Sequence, residues 1–181
     1  MKRTLVLGLM GVSVVACRDG TADPPLTAPS FSVAGGNRVV ESVSGSGSFI
    51  VTTQQGDRRT FSFTARRYAD GTVEGEWQRV RRQDGNAEGS HAHGVVVCFA
   101  VVGNTAWIGA RATSGVFSDP PNNEGGFRVQ DNGEGANAAA PDRMSLEFVG
   151  APPTFAQGYC NSKPNTPVPL FDLEAGNIQI R

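Results

Sequence analysis

The stretch Arg59–Arg82, RTFSFTARRYADGTVEGEWQRVRR, decides the fold. Its centre, Ala69-Asp70-Gly71, suits a three-residue hairpin loop, with glycine last where the chain needs a left-handed conformation. That loop sets Tyr68 opposite Thr72 and so fixes every other pair. Phe63 falls opposite Trp77, Ala65 opposite Gly75 and Phe61 opposite Arg79. On the reverse face Arg66 meets Glu74, Thr64 meets Glu76 and Ser62 meets Gln78. One face is aromatic and the other polar, as a half-buried antiparallel pair requires.

Outward from this hairpin, a second pivots on Gly103-Asn104. It sets Phe99 opposite Ile108, Val97 opposite Ala110 and Val101 opposite Ala106, an apolar face. Behind them Cys98 lies beside Gly109 and Ala100 beside Trp107. Apolar residues on both faces mark a strand covered on both sides. The cover is expected from the Pro-rich segment Ala151 to Pro169, which carries Cys160. Further strands are expected at Val39–Thr52, Gly126–Gln130, Arg143–Val149 and Asn177–Arg181. In the last three, Phe127/Val129, Met144/Leu146/Phe148 and Ile178/Ile180 alternate inward. The sum is an all-β domain of about eight antiparallel strands, either a barrel or a two-sheet sandwich.

The N-terminus has a different chemistry. Met1-Lys2-Arg3-Thr4 precedes an apolar run from Leu5 to Ala16 and then Cys17. A basic start, a short apolar core and a small residue before the cut form a secretory signal. About twelve apolar residues are too few to span ~30 Å of hydrocarbon. Val14-Val15-Ala16-Cys17 resembles the lipobox of bacterial lipoproteins, which implies acylation of Cys17 and cleavage before it. The resemblance puts residues 1–16 in a signal peptide and the protein in the cell envelope, anchored by lipid. Arg18, in place of an aspartate, points towards the outer membrane. Residues 17–37, rich in Pro, Gly, Thr and Ser, read as a flexible tether, and residues 38–181 as the β domain.

Loss of Lys2 and Arg3 with the signal leaves 14 basic and 17 acidic side chains, a net charge of −3. A nucleic-acid partner would need a strongly basic surface, so none is expected. With Cys17 committed to lipid, Cys98 and Cys160 remain as an even pair in an oxidising compartment, and a disulfide is expected.

Candidate sites follow from the register. Carrying the first hairpin across the loop Gln83–Gly89 sets Arg82 opposite Ser90, Arg81 opposite His91, Arg79 opposite His93 and Trp77 opposite Val95. Arg59 faces Arg81 from the other side. Arg59, Arg79, Arg81, His91 and His93 would then line a cationic mouth at one end of the aromatic stripe. Like charges placed opposite one another repel. Either an anionic ligand is gripped there by guanidinium forks, or acidic neighbours such as Asp57, Asp84 and Glu88 neutralise a solvated rim.

Metal is not expected. His91-Ala92-His93 could ligate from one strand face, and Gly85 copies the opening of the cupin motif. The glutamate of that motif is absent, with Val97 and Cys98 in its place. Asp131-Asn132-Gly133-Glu134-Gly135 with Asp142 offers oxygen ligands but not calcium-loop spacing, and reads as an Asx-type turn. Glu74 and Glu76 share a solvated outer face. Neither a catalytic constellation nor a cofactor is expected.

His93-Gly94-Val95-Val96-Val97-Cys98, Val102-Gly103-Asn104-Thr105-Ala106-Trp107-Ile108-Gly109, Gly126 to Gly135 and Pro141-Asp142 resemble motifs of a family of exported bacterial proteins of unknown function. That resemblance covers roughly residues 40 to 150 and implies export and a shared β domain, without an activity. The function expected is that of a membrane-anchored binding or interaction module. The alternatives are an anion or small-ligand binder and a glycan-acting enzyme.

Overall fold

The computed structural model describes residues 37–52, 57–82, 90–134, 138, 140–165 and 168–181. The expected signal peptide, Cys17, the expected tether up to residue 36, and Asp84, Gly85 and Glu88 lie outside the described residues. Residues Gly35–Arg181 form one compact unit that holds the core and the disulfide.

The domain is all-β and antiparallel, a single strongly curled sheet. Its strands are β1 (Val39–Val51), β2 (Asp57–Tyr68), β3 (Val73–Arg82), β4 (His91–Val102), β5 (Thr105–Gly115), β6 (Glu124–Gln130), β7 (Arg143–Ser145), β8 (Phe148–Ala151), β9 (Leu170–Asp172) and β10 (Ala175–Ile180). Helix α1 (Phe155–Ser162) lies between β8 and β9. The order across the sheet is β10-β1-β2-β3-β4-β5-β6-β7-β9, with β8 paired to β6.

Both hairpins pivot where the glycines place them. Phe63 faces Trp77, Phe61 faces Arg79 and Arg66 faces Glu74, while Gly71 takes a φ of 87°. In the second hairpin Phe99 faces Ile108, Val101 faces Ala106 and Cys98 faces Gly109. The inner faces of β1, β2 and β6 supply Val43, Phe49, Phe61, Phe63 and Phe127 to one core, with Trp77 from β3 and Ile108 from β5.

Two registers differ from expectation, and they share a cause. Val96, not Val97, pairs with Ala110, and a bulge separates Val96 from Cys98. An extra residue in one strand reverses which side chains point inward. Ahead of the bulge, therefore, Ala92, Gly94 and Val96 face the core. Trp77 sits opposite Gly94 and Arg79 opposite Ala92, one residue away from the expected pairing. Packing explains the choice, because a Cβ on Gly94 would stand 2.7 Å from the Trp77 indole nitrogen. The wide side chain needs the small partner.

The seam closes without a continuous ladder. β9 and β10 lie at opposite ends of the sheet order yet are joined through Leu173 and Glu174. Phe171 of β9 stacks on Phe49 of β1 at 5.6 Å between ring centroids. Along β10, the Ile178 N–H donates to Asp142 Oδ2 (2.6 Å) and the Ile180 N–H to Asp131 Oδ2 (2.9 Å). The Asn132 N–H also donates to Asp142 Oδ1, and the Gly133 N–H to Asp131 Oδ1, an Asx turn. The acidic loop thus spends its carboxylates on closing the sheet.

The expected strand Arg143–Val149 is broken in two, β7 and β8, at Leu146-Glu147. Phe148, expected inside, is 41 % exposed.

Candidate functional site

Of the five side chains expected at the cationic mouth, three come together. Arg59 and Arg81 are cross-strand partners, and Arg79 lies on the same face two residues along β3. His91 and His93 do not join them. The register through β4 sets them opposite Val80 and Gln78, on the outer face, and the expected pairings with Arg81 and Arg79 are corrected accordingly. A five-residue mouth including the histidines is not what the chain builds.

Burial rather than solvation marks the arginine end. Arg59 and Arg79 are nearly inaccessible, and Asp57 is fully so. Asp57 Oδ2 accepts from Arg59 Nη2 (2.9 Å) and Nε (3.2 Å), and stands 2.8 Å from Arg81 Nε. A second carboxylate, Glu147, lies 3.8 Å from Arg59 Nη1. Buried charges require such partners, since an ion removed from water without one costs several kcal/mol. Burial pushes the Glu147 carboxyl above the ordinary carboxyl range, against the pull of Arg79 and Arg59. Burial likewise lowers Arg79, opposed by Glu147. Asp57 was legible as a compensator from its place beside Arg59. Glu147 was not, because an unbroken strand with Met144, Leu146 and Phe148 inside would turn it outward.

The other feature is a platform built on the disulfide. Cys98 of β4 is bonded to Cys160 of α1 across 62 residues of sequence. The Pro-rich segment does cover the sheet, as expected, and folds into a two-turn helix in doing so. Gly109 and Gly126 make the bed for it. A Cβ on Gly109 would strike Cys98 Sγ and the Ala156 carbonyl, and one on Gly126 would strike the Tyr159 ring. Thr154 offers no side-chain cap. Instead Glu124, at the start of β6, accepts from the Ala156 N–H at 2.9 Å, as a carboxylate can at a helix N-terminus. The strap after α1 is held from the sheet. Trp107 Nε1 donates to the Pro164 carbonyl, and Arg128 donates to Asn165 and to the Val168 carbonyl.

Between helix, strap and β6–β8 runs a groove of about 450 Å³, lined by Arg128, Phe148, Phe155, Tyr159, Pro164 and Val168. Phe148 meets Phe155 edge-on at 6.5 Å, and Phe155 stacks on Tyr159 at 6.0 Å. Burial raises the Tyr159 phenol to about 12, with nearby Arg128 pulling it down, so the hydroxyl keeps its proton at neutral pH. Among the described residues, no three His, Cys, Asp or Glu side chains gather as a metal site. No helix there is long and apolar enough to cross a membrane. Comparisons with protein-family models, with curated proteins and with solved structures return no match.

Proposed function

We propose that this is an exported, lipid-anchored envelope protein whose β domain works as a binding module. The observation that carries the reading is the bonded Cys98–Cys160 pair, which clamps α1 onto the sheet. Structural disulfides persist in oxidising compartments and are rare where glutathione keeps thiols reduced. That agrees with a signal ending at Ala16 and with Cys17 as an acylated first residue. Acylation supplies the anchor, since each buried CH₂ contributes ~0.8 kcal/mol and two or more chains hold stably.

Binding is favoured over other roles by the α1 platform. A disulfide, a carboxylate cap and an arginine-held strap fix one helix beside an aromatic groove, and such preformed concave surfaces are where small ligands bind. The arginine end supports binding less, because Asp57 and Glu147 already face its guanidiniums.

Membrane fractionation tests the reading. The natural chain is expected in the membrane pellet until detergent is added, and Cys17→Ala in the soluble or unprocessed fraction. A soluble natural chain would defeat the anchor.

A further inference from the structure

Gly158 stands apart from the other described glycines. Each of those either has a positive φ or carries a hydrogen where a Cβ would press on a neighbouring atom. Gly158 has neither reason. It sits inside α1, where glycine is a poor helix former, and a Cβ there would meet nothing within 4 Å. It does line the aromatic groove. The missing side chain keeps that groove open over the helix backbone.

The groove has two chemically distinct parts. Phe148, Phe155, Pro164 and Val168 give flat apolar walls. Arg128 gives a polar end, while the Tyr159 hydroxyl is bonded to the buried Ser145 and leaves its ring to the groove. Arg128 donates to neutral carbonyl and amide oxygens of Asn165 and Val168, so its charge is anchored there by acceptors none of which is a carboxylate. Among the lining residues it is the one charged side chain.

We propose that this groove binds a small aromatic carboxylate, with the ring system against Phe148 and Phe155 over Gly158 and the carboxylate at Arg128. This rests on the binding-module reading and names its ligand class. Aromatic walls favour a ring over an alkyl chain, because offset and edge-on ring contacts add attraction beyond the area buried. The helix that forms one side is eight residues long, about 12 Å at 1.5 Å per residue. That length accommodates a bicyclic ring and its acid group.

The test uses the Gly35–Arg181 unit, whose core and disulfide are internal, oxidised and titrated with 1-naphthoate. Trp107, bonded to the groove wall at Pro164, is the fluorescence reporter, and calorimetry is the second readout. Saturable binding is expected. The uncharged 1-naphthalenemethanol should bind more weakly by roughly tenfold, the scale of one charge-assisted hydrogen bond. Gly158→Leu should abolish binding while leaving the thermal midpoint unchanged or raised. The exposed Phe148→Ala, a second variant that leaves the helix intact, should weaken binding several-fold. Binding of naphthoate that neither variant disturbs would overturn the site. Tighter saturable binding of decanoate, lost in Gly158→Leu, would overturn the aromatic class but keep the binding reading. Absence of saturable binding by all three probes would overturn both.

Discussion

Asp57 is the residue on which the arginine end depends. Arg59 and Arg81 share one of its oxygens, and Asp57 is itself fully buried. Asp57→Asn keeps the shape and removes the charge. Breaking a buried pair from one side costs about 3–5 kcal/mol, and urea unfolding should show a loss on that scale. Glu147 gives a prediction in pH. Its folded value lies above the ordinary 4.5 because it is buried. The folded chain therefore holds a proton that the unfolded chain has released, and stability falls as pH rises from the ordinary value through the raised one. Glu147→Gln removes that titration. Its unfolding midpoint should decline less than the natural chain's between mildly acidic and neutral pH, and an equal decline would show that Glu147 is not the group responsible. The residue scale also shows where reading the sequence succeeds. Glycine at 71, aromatics at 61, 63 and 77, and charges at 66 and 74 settle the first hairpin because loop geometry and alternation agree there.

Among the elements, the bulge in β4 is the lesson. Each hairpin fixed its own register, but β4 belongs to two pairings, and one inserted residue near Val97 reverses inward and outward ahead of it. The alternation Val95, Val97, Phe99, Val101 carries no mark of that insertion. Gly94 was the available signal, since a glycine inside a strand often marks a close approach, here to the Trp77 ring. Strict alternation alone would put His91 and His93 on the inner face, whereas the bulge leaves them on the outer one. Helix α1 was hidden differently. Prolines at 152, 153 and 164 bracket a segment too short to show a helical period. Two predictions belong to this scale. Asp142→Ala removes acceptors from the Asn132 and Ile178 N–H groups, and Ile178 is fully buried. A loss of about 3 kcal/mol is expected, with faster hydrogen exchange at the Ile178 amide; unchanged exchange would show that the seam holds without the carboxylate. Replacing both Cys98 and Cys160 by Ala frees α1 and should cost up to about 4 kcal/mol on the chain-entropy account of a loop this long. The exchange of α1 amides should rise more than that of β2 and β3.

For the whole molecule, curvature and covalent pinning act together. A sheet whose terminal strands are consecutive in the chain is closed at β9–β10 by the chain itself, by Phe49 on Phe171 and by two aspartates. The disulfide adds α1 to the outside of that sheet and shapes the aromatic groove beside it. Fold class, both hairpin pivots and the cysteine pair were legible, because they follow from periodicity, turn chemistry and parity. The groove was not, since it depends on how a proline-bracketed helix settles on Gly109 and Gly126. The proposed place of the molecule, tethered through Cys17 in an oxidising envelope, joins its two ends into one account. The most direct test is the intact mass of the protein extracted from membranes. The expected chain begins at Cys17, carries diacylglyceryl-type acyl groups, and is two hydrogens lighter than its fully reduced form. An unacylated chain, or one with both Cys98 and Cys160 as free thiols, would contradict it.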